Sequence, residues 1–177
     1  MDPYAFIFNN APKGALIFSN YKFSLTEYFN PSYDKHVSIY IGSKDDDIFS
    51  CKDNKKYVVE SLYNNGVTIT SLSNYLKDVI NVKVLVLDDD LNPNSKYIMS
   101  LAADIAKGYV GTPYGFGKNN IYCFKLIAKC YELVGIELPT YKILGKRIYL
   151  SQSFTDNKQW KKIYDSNMPS FYFVEGQ

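Results

Sequence analysis

Arginine is almost missing from this chain. Arg147 is the only one among 20 basic residues, the rest being lysine. Guanidinium forks do most base-edge and phosphate reading, and the formal net charge is only +2, so no nucleic-acid partner is expected. Histidine and tryptophan also occur once each, as His36 and Trp160. Cysteine is scarce: Cys51, Cys123 and Cys130 are an odd number with no framework spacing, and read as reduced thiols in a cytosol-like compartment. With one histidine they lack zinc-ligand spacing, so neither a metal nor an organic cofactor is implied. No apolar run reaches membrane-spanning length, and the run Val82 to Leu87 is already broken by Lys83. The start, Met1-Asp2-Pro3-Tyr4-Ala5-Phe6, lacks the basic region and cleavage site of a signal peptide. No repeat and no Pro- or Gly-rich linker divides the 177 residues, which are expected to form a single domain, 1–177.

Aromatic residues are abundant instead, with 17 Tyr and 11 Phe. The excess of Asn, Lys, Tyr and Ile points to an A+T-rich coding genome. Ala11 to Gly14 predicts a turn feeding a strand from Ala15 to Phe18. Residues 19–35 read as irregular, with a helical turn at Ser24 to Glu27. His36 to Gly42 alternates Val37, Ile39 and Ile41 with His36, Ser38 and Tyr40, predicting a strand with one apolar and one polar face. Residues 43–56 read as a solvated loop. Tyr57 to Leu62 and Val67 to Ile69 predict a hairpin about Asn64-Asn65-Gly66. Ser71 is placed to cap a short helix through Leu76, and a strand follows over Val82 to Leu87. Ile98, Leu101, Ala102 and Ile105 recur at helical spacing over Ser95 to Lys107, with Gly108 as the cap.

The helix after Asn120 has the clearest pattern. Cys123, Ile127, Cys130 and Val134 form one stripe, Asn119 or Asn120 is available as a cap, and Gly135 stands where a C′ glycine belongs. Gln159 to Tyr164 and Phe171 to Val174 read as short terminal strands.

Three residues combine into a chemical constellation. Cys123 follows a glycine-rich segment and falls in the first turn of its helix, where the macrodipole favours a thiolate. Cys130 lies two turns deeper on the same stripe and reads as core, and Cys51 as incidental. His36 can shuttle the proton that a thiol nucleophile needs, although a lone histidine is as often structural. Glu60 interrupts an apolar strand face beside Val58 and Leu62. Buried there it needs a partner, and an imidazole nitrogen would serve; on pattern alone, exposure on an edge strand is equally compatible.

The segments His36-Val37-Ser38-Ile39-Tyr40-Ile41-Gly42, Val58-Val59-Glu60-Ser61 and Gly111-Thr112-Pro113-Tyr114-Gly115-Phe116-Gly117 leading to Tyr122-Cys123 resemble the circularly permuted branch of the NlpC/P60 superfamily. This is a papain-like thiol fold whose permuted members place histidine before cysteine. Met1-Asp2-Pro3, Asn30-Pro31-Ser32, Ile143-Leu144-Gly145-Lys146 and Ile163-Tyr164-Asp165-Ser166-Asn167 extend the resemblance over nearly the whole chain, toward the small poxvirus member of that branch. The resemblance implies an α+β fold, an antiparallel sheet carrying His36 and Glu60 packed on the helix that Cys123 begins. It implies Cys123 as nucleophile, His36 as base, Glu60 as the residue orienting it, and Tyr114 lining the substrate pocket and serving the oxyanion with the Cys123 backbone N–H.

Tyr122, Phe124 and Lys125 flank the nucleophile where bacterial cell-wall enzymes of the superfamily carry Asp-Cys-Ser-Gly. That departure argues against a cell-wall peptide and for an acyl amide or ester, lipid-linked in keeping with relatives that move acyl groups between lipids. The activity expected is hydrolysis or acyl transfer through a thioester. A lipid-binding or host-interaction module with a relic triad, and a protein deconjugase or protease, remain open. The expected setting is the host cytoplasm, with a host protein as a further candidate partner.

Overall fold

Residues that alternate with a period of two, apolar toward both sides, make a strand that must be covered twice. The computed structural model describes residues 1–21, 31–44 and 55–167. Its centre is a six-stranded antiparallel sheet of β1 (Leu16–Tyr21), β2 (His36–Gly42), β3 (Tyr57–Leu62), β4 (Gly66–Ser71), β5 (Val79–Leu87) and β8 (Trp160–Asp165), in the order β4-β3-β2-β1-β5-β8. Leu16, Phe18, Val37, Ile39 and Val59 point to one face, where α3 (Ser95–Gly108) and α4 (Cys123–Glu132) cover them. Ile17, Tyr40, Val58, Val82 and Val84 point to the other, under Ile7 of α1 (Pro3–Asn10) and Leu72 and Tyr75 of α2 (Leu72–Tyr75). Each of these large apolar side chains is fully or almost fully buried, worth about 1.5–3 kcal/mol apiece against exposure. The fold is α+β, as the sequence implied, but the face of His36, Ser38 and Tyr40 is a second core rather than a polar surface. Its residues are all buried.

Several elements depart from their sequence expectation. Helix α1 has no counterpart in the sequence pattern; Asp2 accepts from the Ala5 N–H at 3.0 Å and Pro3 occupies the first helical turn, a cap-plus-proline start. Strands β1 and β5 extend to Tyr21 and back to Val79. In α3 the buried stripe is Ser95, Met99, Ala102, Ala103 and Ala106, while Leu101 is exposed. Small residues are chosen there because α4 packs closely. Gly108 ends α3 rather than capping it. Gly135 does terminate α4: the Ile136 N–H donates to the Tyr131 carbonyl and the Gly135 N–H to that of Glu132, the bond pair of a Schellman motif. A small ribbon, β6 (Tyr141–Ile143) and β7 (Lys146–Ile148), and a short α5 (Gln152–Thr155) precede β8. The readings at Ser24 to Glu27, most of 43–56 including Cys51, and Phe171 to Val174 lie outside the described residues. Among the described residues no helix is long and apolar enough to cross a membrane.

Gly14 ties the layers together. It adopts φ +93° in the turn before β1, donates its N–H to the Tyr40 carbonyl at 2.7 Å, and accepts the Tyr131 hydroxyl at 2.6 Å. The sheet and α4 are thereby pinned to one another through a single residue.

Candidate active site

The residues singled out in the sequence meet at one end of the sheet. His36 opens β2 and Glu60 lies on β3, where it pairs with Ser38 two residues further along the same face. His36 Nε2 and Glu60 Oε2 are 2.7 Å apart, with both groups buried. A carboxylate buried on an apolar strand is tolerable because this imidazole answers it. At the start of β2 the ring also lies near Cys123, the first residue of α4, and interacts with it electrostatically. Since Glu60 takes Nε2, Nδ1 is the ring nitrogen left for the thiol.

The electrostatics are decided by competition. Burial disfavours the imidazolium, but hydrogen bonds and charge attraction from Cys123 and Glu60 outweigh it, raising the pKa of His36 to about 10. A group held above its ordinary value of 6.5 contributes stability that is complete below about 6.5 and is lost as pH climbs toward 10. Thermal denaturation midpoints are therefore expected to decline over that alkaline interval. The decline should be shallower in Glu60→Gln, which removes the carboxylate from beside the ring, and an equal slope in both proteins would contradict the linkage.

Two tyrosines that the sequence did not flag bracket the imidazole. Tyr21 and Tyr75 each stand with their rings 6.0 Å from that of His36. The Tyr75 hydroxyl donates to the Ile17 carbonyl at 2.9 Å and meets Ser19 Oγ at 2.9 Å. Burial raises both tyrosine pKa values, so each stays a neutral hydroxyl. Their spacing in the sequence gives no signal; only the pairing of β1 with β2 and the packing of α2 bring them here.

The loop before Cys123 is held from several sides. Ser61 Oγ donates to the Ile121 carbonyl at 2.6 Å, joining the strand of Glu60 to the segment that delivers the thiol. The Val67 N–H bonds the Thr112 carbonyl at 2.9 Å, and a side chain at Gly66 would strike that oxygen at 2.3 Å. The expected cap at Asn119 or Asn120 is not used. Tyr122 occupies the N-cap position with no side-chain cap, because the Asn120 amide turns back to the Tyr114 carbonyl at 3.4 Å. Lys125 also braces this loop, its ammonium bonding the Gly117 and Asn120 carbonyls at 3.0 and 2.8 Å. Its head group is therefore tied to the loop rather than free to read a substrate.

Cys123 and His36 line a cavity of about 1020 Å³ walled largely by aromatic and aliphatic side chains. Tyr114 is on its wall, half-buried between Tyr63 and Phe116 at ring distances of 5.9 and 6.5 Å. Burial, with the nearby charge of Cys123, pushes its hydroxyl up to about 12, so at neutral pH it is a hydrogen-bond donor. Tyr122 is stacked on Phe116 at 4.6 Å, and its oxygen accepts the Tyr149 N–H at 2.7 Å, binding the cavity to the segment after the β6–β7 ribbon. Cys130 is fully buried, and burial raises its thiol to about 12.

A thiol at a helix N-terminus, beside an imidazole that a carboxylate holds from behind, is the kind of arrangement a thiol nucleophile needs. The family model for the permuted papain-like amidase enzymes (YaeF/YiiX, C92 family) matches residues 10–164, and the chain belongs to that family. Among individual proteins, it is 44% identical over 175 residues to Protein OPG091 of vaccinia virus (strain Copenhagen), covering 99% of this chain and 98% of the relative. The OPG091 proteins of variola virus and monkeypox virus are 44% and 43% identical over the same shares. The poxviral kinship expected from the sequence is borne out by these relatives.

Proposed function

We propose that this protein is a thiol hydrolase or acyltransferase that cleaves an acyl amide or ester through a Cys123–His36–Glu60 triad. The observation that carries the reading is the 2.7 Å His36–Glu60 bond beside Cys123, with His36 and Cys123 lining one large apolar cavity. The thiolate of Cys123 attacks the acyl carbon, forming the C–S bond and a tetrahedral oxyanion. The first free N–H groups of α4 and the Tyr114 hydroxyl are the donors available to that oxygen. The His36 imidazolium gives its proton to the leaving nitrogen or oxygen as the C–N or C–O bond breaks, leaving a thioester. Water, or an acceptor hydroxyl or amine, then loses a proton to His36 while attacking the thioester carbonyl, and the C–S bond breaks to restore the thiolate. The apolar walls favour an acyl chain over a charged cell-wall peptide.

Covalent trapping tests this. Activated acyl probes should leave one acyl adduct on Cys123, detected by intact mass and peptide mapping, and none on Cys123→Ala. Iodoacetamide at neutral pH should alkylate Cys123 long before Cys130, whose thiol burial holds near 12, and His36→Ala should slow only the first. Equal rates at both sulfurs, or no effect of His36→Ala, would refute an activated thiol. Labelling by dipeptide probes alone would replace the lipid-type substrate with a peptide.

A further inference from the structure

The mouth of the cavity carries a feature that the chemistry does not use. The β6–β7 ribbon closes through Leu144-Gly145, with Leu144 at φ 47° and 99% exposed. Both turn positions have positive φ, a conformation that favours Asn-Gly and disfavours a bulky side chain. A leucine there is strained and wholly in water, and nothing in the fold uses it. Lys142 and Arg147 are direct cross-strand partners on the same face, so two like charges oppose each other. Lys142 and Lys146 have no ion-pair partner among the described residues, and Arg147 reaches only Thr140 Oγ1 at 3.4 Å. Elsewhere on the cavity lining the pattern recurs: Tyr63 is 78% and Phe116 58% exposed, with exposed Lys118 two residues after Phe116 in the chain. Leu144, Tyr63 and Phe116 all border the cavity that holds Cys123.

We propose that this rim, led by the Leu144 tip of the β6–β7 ribbon, docks on an anionic lipid surface and brings the cavity mouth against it. A protruding apolar tip, aromatic side chains at the same rim and uncompensated lysines form the pattern that inserts shallowly into a headgroup layer of negative charge. Exposure of Leu144 and the like-charge crowding of Lys142 and Arg147 are relieved when the tip leaves water and the cations meet phosphates. As a statement about substrate it rests on the acyl-bond reading above, placing the scissile bond in a membrane lipid. The docking itself needs no catalysis.

The experiment is flotation of the full chain, carrying Cys123→Ala to exclude turnover, with vesicles of phosphatidylcholine with or without phosphatidylserine. Binding should require phosphatidylserine and weaken with added salt. Lys142→Gln and Arg147→Gln should each weaken it about fivefold. Leu144→Asn should weaken it about tenfold or more, while its melting temperature stays equal or rises because Asn-Gly suits the turn. Failure to float, or flotation unaffected by Leu144→Asn, would overturn the proposal, as would retention by a protein-binding resin that vesicles cannot displace. Competition by soluble glycerophosphoserine would also overturn it, in favour of a headgroup pocket. Active-site labelling of the wild type in solution is scored separately, so a failed docking leaves the thiol chemistry standing, and the reverse holds too.

Discussion

Cys123→Ala is expected to lower the rate of acyl-bond cleavage by about 10⁴-fold or more while leaving the protein folded. Alanine is the best helix former, and the change removes only one buried sulfur from the first turn of α4. The melting temperature should therefore move by no more than a few degrees. His36→Ala is expected to cost about as much. The informative comparison is the double variant: residues acting as one unit are not additive, so Cys123→Ala with His36→Ala should be about as slow as the worse single change. Multiplicative losses would mean that the two side chains act independently. Kinetics on a chromogenic acyl ester, with circular dichroism as the control for folding, decide it. Full activity in Cys123→Ala would refute Cys123 as the nucleophile.

The largest effect on stability is expected at Gly14→Ala. A Cβ at this position would stand 2.1 Å from the Met99 carbonyl oxygen and 2.4 Å from its carbon, inside the backbone of α3. Its φ of +93° is unfavourable for any L side chain. Nothing flexible can yield, since the neighbour is helical backbone packed against both the sheet and α4. Strain and overpacking together predict a loss of about 3 kcal/mol or more, about 6–12 °C in melting temperature for a chain of this size. Gly108→Ala is the control. It lies in α3, where an added methyl would have no atom within 4 Å, and should be neutral or stabilising by about 0.5–1 kcal/mol. Differential scanning calorimetry of the two variants should separate them clearly. Similar midpoints would mean that the turn at Gly14 shifts freely.

The elements that carry the chemistry were legible because their signals are local. Strand β2 declares itself by alternation, and α4 by its stripe and terminal glycine. Glu60 is conspicuous because a charge in an apolar strand must be answered by something. What stayed hidden depends on the third dimension. Whether Glu60 faced water or His36 was undecidable until β3 was seen inside the sheet, between β2 and β4. The burial of Tyr40 and Val58 needed α1 and α2, and α1 has only eight residues; its one readable sign was Asp2-Pro3. The β6–β7 ribbon has strands of three residues and a Leu-Gly turn, too short and too atypical for pattern reading. The N-cap of α4 was misplaced because the asparagine best suited to it is engaged elsewhere, and no propensity reports that.

On the proposed mechanism, the strand order also governs when the thiol meets its partners. Sheet β4-β3-β2-β1-β5 is assembled from the first half of the chain, so His36 and Glu60 leave the ribosome together with the scaffold that pairs them. Cys123 emerges only later, and β8, which closes the sheet edge, later still. Synthesis from the N-terminus therefore places the meeting of Cys123 with His36 and Glu60 at the docking of α4, after the pair itself can form.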